Sequence, residues 1–261
     1  MLNFNDKKGF ICDMDGVIYH GNKILPGVPE FIDWLQRTGK EYLFLTNNSG
    51  CTPLELKQKL ARMGLDVPEA RFYTSALATA AFIRDQSPGC SAYVIGEAGL
   101  YNALYEKGIS MNDSSPDYVV VGETRTYSLE RIEKAVQLVF NGAKLIGTNP
   151  DMTGPTEHGI VPATGALISP IELATRRKAY FVGKPNPLMM RRAVKHLNAM
   201  SRDTVIIGDR MDTDIVAGIE AEVDTVLVLS GVTAIHALPR FPYRPRHVMR
   251  GLDELVEQLR K

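Results

Sequence analysis

Cysteine is scarce in this chain: Cys12, Cys51 and Cys90 are scattered over 261 residues, odd in number and without C-x-x-C spacing. The pattern argues against a disulfide framework and against a zinc site, and Cys12, inside an apolar run, reads as a small buried strand residue. Net charge is lacking as well. Thirty basic residues balance thirty acidic ones, so the overall charge offers no reason to expect nucleic acid or a membrane as partner. No apolar run approaches the roughly 20 residues that span a bilayer, and the opening MLNFNDKKGF has no apolar signal-peptide core. The expectation is a cytoplasmic protein. No G-x-G-x-x-G follows a strand-like run, which disfavours NAD-dependent chemistry. Internal repeats of fixed period and low-complexity linkers are also missing, and the five histidines, His20, His158, His196, His236 and His247, are dispersed.

What is present is a hydrophobic content of 44%, ordinary for a globular protein with a sizeable core. Short apolar runs alternate with amphipathic stretches for almost the whole length, which predicts strands joined by helices and hence a parallel α/β sheet. The candidate strands are GFICD, EYLFLT, AYVIG, YVVVG, AKLIGT, AYFVG, TVIIGD and TVLVLS. Thr52 precedes Pro53 and lies three residues before Glu55, which predicts a capping box with proline at the first helical position and Gly64 closing the segment. A second helix is predicted from about Leu129 to Phe140, ending at Asn141-Gly142.

Four features at strand ends carry the chemistry. In FICDMDGVIY an apolar run stops at Asp13 and Asp15. Carboxylates side by side at the end of a buried strand repel each other and lose hydration unless a cation or a reacting group compensates them. Magnesium fits, because it binds one or two carboxylates together with phosphate and water. A bare D-x-D also fits a solvated loop. EYLFLTNNSG ends in Thr46, Asn47, Asn48 and Ser49, small polar groups where open α/β sheets bind ligands, although a polar turn before the helix reads the same. FVGKPNP places Lys184 after another strand, either as a solvated loop residue or as a phosphate holder. TVIIGDRMDTDI brings Asp209, Asp212 and Asp214 into one short span, where acids at a helix start are the simpler reading and suit Asp212.

The order and spacing of these features resemble the haloacid-dehalogenase-like (HAD) superfamily of phosphohydrolases over almost the whole chain. DMDGV resembles its first motif, Thr46 its second, Lys184 its third and GDRMDTD its fourth. TNNSG, YTSA, VVVGETRTYS, TNPD and VGKPNP resemble more narrowly the NagD-type subfamily of nucleotide, nitrophenyl, phosphoglycolate and pyridoxal phosphatases. The resemblance implies a magnesium-dependent phosphomonoesterase with Asp13 as nucleophile and Asp15 as general acid and base. It implies that Thr46 and Asn47 bind phosphate and that Lys184 neutralises charge. Asp209 would complete the metal site with Asp13 and the Asp15 carbonyl, and Asp214 would orient the ligands. The expected substrate is a small phosphorylated metabolite, foremost a nucleoside monophosphate such as UMP; sugar phosphates, phosphoglycolate and pyridoxal phosphate are alternatives.

Thirty-three positions separate Asp13 from Thr46, room for one helix and a strand, whereas 138 separate Thr46 from Lys184. A whole βαβ unit needs only about 30 residues, so the second interval is expected to hold a domain of its own. The expected architecture is a Rossmann-like parallel-sheet core, residues 1–75 and 180–261, with an inserted α/β cap, residues 76–179, at the C2-type position of the resembled subfamily. The active site would lie in the cleft between them. Candidate cap contacts are Glu123, Asn149, Asp151 and His158, and pairing of caps into a homodimer follows the same resemblance. One departure stands out: relatives place glycine after the alanine of T-D-I-x-x-G-x-x-A, whereas Ala221 is followed here by Glu222. Glutamate in a left-handed turn would cost about 1 kcal/mol or force a different turn. Two other functions share part of the pattern. A glycosyltransferase also binds metal through D-x-D, but leaves Lys184 and GDRMDTD without a role; a receiver-like module needs neither a large cap nor Asp15.

Overall fold

The computed structural model describes residues 3–156 and 159–259. The chain forms two compact units, one of residues 1–46, 57–73 and 184–261, the other of residues 47–56 and 74–183. Each is built on a mostly parallel sheet flanked by helices, the predicted α/β class.

In the first unit the strand order is His247–Met249, Asp224–Val228, Thr204–Gly208, Gly9–Cys12, Glu41–Thr46 and Phe72–Thr74. Gly9–Cys12 runs parallel to Thr204–Gly208 on one side and Glu41–Thr46 on the other. The chain therefore leaves the first strand in one direction and later returns on its other side, the switch point at which open α/β sheets bind ligands. Every residue of Gly9–Cys12 and Thr204–Gly208 is buried, as expected for strands covered on both faces. Helix Val28–Arg37 buries Val28, Phe31, Ile32 and Leu35, and Phe10 meets Phe31 and Trp34 edge-on at 5.8 and 5.4 Å between ring centroids.

Helix Val216–Glu220 ends with Glu222 in the left-handed region at φ 57°. Its N–H donates to the Ile219 carbonyl and the Val223 N–H to that of Gly218, the paired bonds of a Schellman turn. Of the two outcomes foreseen for Glu222, the chain keeps the turn and bears the strain.

The second unit has a five-stranded sheet in the order Tyr180–Phe181, Lys144–Gly147, Tyr118–Val121, Ser91–Ile95 and Ser110–Met111, parallel at each pairing. Helices Leu129–Phe140 and Thr164–Thr175 cover it through a core that includes Val119, Val121, Ala135, Val139, Ile168 and Ile171. An antiparallel hairpin pairs Thr153–Thr156 with Gly159–Pro162. The second of the two predicted helices spans Leu129–Phe140, with Gly142 at φ 109° beyond it. The capping box is formed in helix Pro53–Arg62: the Thr52 N–H donates to Glu55 Oε2 at 2.7 Å and the Glu55 N–H to Thr52 Oγ1 at 3.2 Å.

Tyr180–Phe181 pairs with Lys144–Gly147, so this sheet runs past the boundary expected near Ala179. Residues 47–56, counted with the core in the sequence reading, group with the second unit. No helix among the described residues is long and apolar enough to cross a membrane.

Candidate active site

The parallel register of Gly9–Cys12 and Thr204–Gly208 pairs Cys12 with Ile207, so Asp13 comes level with Gly208, one position short of Asp209. The Asp13 N–H donates to the Ile207 carbonyl at 2.9 Å, and Asp209 follows Gly208 at the same sheet end. After Asp209 the chain makes a π-helical turn over Met211–Ile215, with the Ile215 N–H reaching the Arg210 carbonyl at 3.2 Å. Such turns are rare and concentrate at functional sites. This one carries Asp214 inward, fully buried, and leaves Asp212 exposed and paired with Arg210 at 2.9 Å. The simpler reading of acids at a helix start thus suits Asp212 and not Asp214.

Lys184 closes the arrangement. Its Nζ donates to Asp13 Oδ1 at 2.6 Å, to Asp214 Oδ1 at 2.7 Å and to the Leu45 carbonyl at 3.2 Å, which uses all three ammonium hydrogens. Burial alone would push this ammonium down, but the two carboxylates hold it above the ordinary lysine range. The solvated-loop reading of Lys184 is excluded by an exposure of 2%.

One carboxylate oxygen from each of Asp13, Asp209 and Asp214 lies within 4.8 Å of the other two. Burial, then Asp13 and Asp214, push Asp209 well above the usual carboxylate range; burial does the same for Asp214, against the pull of Lys184. Asp209 Oδ2 accepts the Val232 N–H at 2.6 Å, while Asp209 Oδ1 is buried without a hydrogen-bond partner among the described residues. Three clustered carboxylates with one lysine and an unsatisfied oxygen form a donor set that suits a hard divalent cation. Glycines leave room for these carboxylates. A Cβ on Gly16, at φ 78°, would stand 2.7 Å from Asp209 Oδ2, one on Gly231 would overlap the same oxygen, and one on Gly208 would overlap Asp214.

Asp15 stands apart from the cluster, its side chain 45% exposed and its Oδ1 3.9 Å from His20 Nδ1. Burial raises its pKa, and Lys59 and His20 oppose the rise. Lys59, to which the sequence reading assigned no role, lies 3.8 Å over the Tyr19 ring. Thr46 ends the Glu41–Thr46 strand and is buried.

Asn47 belongs to the second unit, where its Nδ2 donates to Asp151 Oδ2 at 2.8 Å. Its carbonyl accepts from Asn149 Nδ2 at 2.8 Å and from Ser75 Oγ at 2.6 Å. The Glu123 N–H donates to Ser49 Oγ at 3.0 Å. Burial, then the charge of Asp151, push the Glu123 carboxyl up to about 7, against a hydrogen bond from Asn149. Glu123, Asn149 and Asp151 therefore gather around Asn47–Ser49; His158 lies outside the described residues. Ser49 belongs to the polar cluster that the sequence places at this strand end; Ser75 and Gly231 carry no such signal, though Gly231 does follow an apolar strand end, as Gly16 and Gly208 flank theirs.

Comparison with known proteins agrees with this geometry. Residues 10–110 match the model of the haloacid dehalogenase-like hydrolases, and residues 181–255 a HAD-hydrolase-like model. The chain is 46% identical over 248 residues to dihydroxyacetone phosphatase of Corynebacterium glutamicum, covering 95% of this chain and 90% of that protein. It is 44% identical over 248 residues to the ribonucleotide monophosphatase NagD of Escherichia coli, covering 95% and 98%. The solved structure of NagD from Escherichia coli superposes with a TM-score of 0.90 at 43% identity, over 95% of this chain and 98% of that one. Similarity of this extent, over nearly the full length of both chains, makes the protein a member of the haloacid dehalogenase-like hydrolases and, within them, a phosphatase.

Proposed function

We propose that the chain is a magnesium-dependent phosphomonoester hydrolase that works through an aspartyl phosphate on Asp13. The observation that carries the reading is the buried Lys184 ammonium, held between Asp13 and Asp214 at 2.6 and 2.7 Å beside Asp209. It lies against the Asp13 carboxylate and gives the cluster the positive charge that an incoming phosphate dianion requires. Asp13, Asp209 and the Asp15 carbonyl would hold the cation, with Asp214 fixing Lys184. When bound, magnesium supplies Lewis-acid charge neutralisation to phosphate oxygens.

In the proposed sequence an Asp13 carboxylate oxygen attacks phosphorus while the bond to the ester oxygen breaks, and Asp15 gives its proton to that oxygen. Thr46 and Asn47 donate hydrogen bonds to the phosphate. Water then attacks the acyl phosphate and loses its proton to Asp15, which releases inorganic phosphate and restores both carboxyl groups. The half-exposed position of Asp15, outside the acid cluster, supports a group that exchanges protons with substrate and water.

The substrate we favour is a nucleoside monophosphate such as UMP, by likeness to the ribonucleotide monophosphatase. A second reading, a small keto or sugar phosphate, is favoured by the 46% identity to dihydroxyacetone phosphatase. A cytoplasmic setting belongs to the same proposal and is supported by three cysteines that form no disulfide among the described residues.

Asp15→Asn tests the mechanism. With p-nitrophenyl phosphate, whose leaving group needs no proton, the variant should show a burst of nitrophenol and a trapped phosphoryl adduct on Asp13. With an alkyl phosphate it should stall before any adduct forms. Rapid-quench kinetics and intact-mass measurement read both outcomes, and steady turnover of both substrates at the parent rate would remove Asp15 from the mechanism.

A further inference from the structure

Asp151, one of the candidate cap contacts, is bonded to the segment that follows the Glu41–Thr46 strand. Asp151 Oδ2 accepts from Asn47 Nδ2 at 2.8 Å. An ionised carboxylate can only accept hydrogen bonds, so it fixes which end of the Asn47 amide faces it. On the opposite side, a Cβ on Gly183 would stand 2.7 Å from Asn47 Oδ1, so main chain walls the amide in. Asn149 seats Asp151 in turn: its Oδ1 accepts the Asp151 N–H at 3.2 Å, and it is itself fully buried, with its Nδ2 3.4 and 3.3 Å from the hydroxyls of Thr148 and Thr164. The same Nδ2 donates to the Asn47 carbonyl, as does Ser75 Oγ. Because a trans peptide is planar, a carbonyl held by two donors also sets the direction of the Asn48 N–H.

We propose that Asp151, seated by Asn149, is a positioning residue for the phosphate-binding loop: it orients the Asn47 amide and so acts on the phosphate common to all substrates, not on the leaving group. The inference rests on the reading above that Asn47 contacts phosphate. One Nδ2 hydrogen of Asn47 goes to Asp151, and the plane of the amide then fixes where the second one points. Loss of the carboxylate frees the amide to rotate, while asparagine at 151 still offers a carbonyl oxygen to Nδ2.

The test uses the magnesium-loaded enzyme, with inorganic phosphate as competitive inhibitor of p-nitrophenyl phosphate hydrolysis. kcat/KM is measured for that substrate and for whichever of UMP or dihydroxyacetone phosphate is turned over. Asp151→Ala should weaken phosphate inhibition about tenfold or more, the scale of a charge-assisted hydrogen bond, and lower both kcat/KM values by a similar factor. Asp151→Asn should stay within about threefold of the parent, and the Asn47→Ala Asp151→Ala double variant should bind phosphate no more weakly than Asn47→Ala alone. If Asp151→Ala does not fold, Asp151→Ser carries the same comparison with a shorter polar side chain. The inference is overturned if phosphate inhibition is unmoved while one substrate alone suffers, or if the two substitutions add. An Asn47→Ala variant with unchanged phosphate inhibition overturns the phosphate role of Asn47 itself, and with it this inference.

Discussion

In the first unit Asp13 and Asp214 share one buried lysine beside Asp209; in the second, Glu123 feels the charge of Asp151, opposed by a hydrogen bond from Asn149 and by Arg125, while the Asn47 amide donates to Asp151. Both neighbourhoods bring carboxyl groups together out of water, and they resolve the repulsion differently. Where Lys184 neutralises part of the charge, the remainder suits a divalent cation, and Asp209 Oδ1 is left without a hydrogen bond. Where amides take its place, the Glu123 carboxyl rises to about 7 and so can keep its proton. The difference teaches that like charges in a fold need not share a purpose: one cluster has the donor set that suits a divalent cation, while the other holds protein atoms in place.

The comparison breaks most visibly when the cation is withdrawn. Exhaustive chelation should reduce phosphatase activity below about 1% of the magnesium-loaded value, with magnesium restoring it. Calcium should inhibit, since its larger and looser coordination misplaces Asp13. Full activity after chelation, measured by phosphate release, would place the first cluster in the same class as the second. Next in size is Lys184→Ala, which should lower turnover by about 100-fold or more. It should also destabilise the fold by about 3 kcal/mol or more, because it leaves buried carboxylates without their counter-charge. A change under about threefold in steady-state turnover would deny Lys184 its part.

The smallest expected effect belongs to Glu123→Gln. Glu123 has its folded pKa raised from 4.5 to about 7, so the folded state binds the proton more tightly than the unfolded chain. Its contribution is fully present below pH 4.5 and is lost as pH rises through about 7. Glutamine keeps the neutral shape at every pH. The variant should therefore match the parent near pH 4 and exceed it by on the order of 2 kcal/mol near pH 8.5, as read by urea unfolding at the two pH values. An unchanged difference between parent and variant across that range would mean that Glu123 stays ionised beside Asp151.

Much of this is legible in the sequence, for physical reasons. Strands such as TVIIGD and YVVVG are apolar at consecutive positions because both faces are covered, and all the apolar runs singled out became strands. Thr52 and Glu55 announce a helix start by local hydrogen bonding alone. Asp13, Lys184 and Asp209 could be found because each follows an apolar strand at its carboxyl end. The strands Phe72–Thr74 and His247–Met249 escaped notice, since three residues are too few to show a period. The π-helical turn that buries Asp214 also has no local signature in MDTDI. Nor does any local pattern say that Asn47 meets Asn149 and Asp151, which lie about a hundred positions away; that partnership exists only after the second sheet has formed.

Gly16, Gly208 and Gly231 contribute no functional group, yet the space beside Asp209 and Asp214 depends on them. Any missense change in a glycine codon introduces a Cβ, whichever base is altered. At these three positions heritable variation therefore has no conservative option: alanine itself intrudes on the carboxylates, and at Gly16, with φ 78°, it also strains the main chain. In a saturation library scored for phosphatase activity, these positions should stand out as empty columns, as intolerant as Asp13 and Lys184.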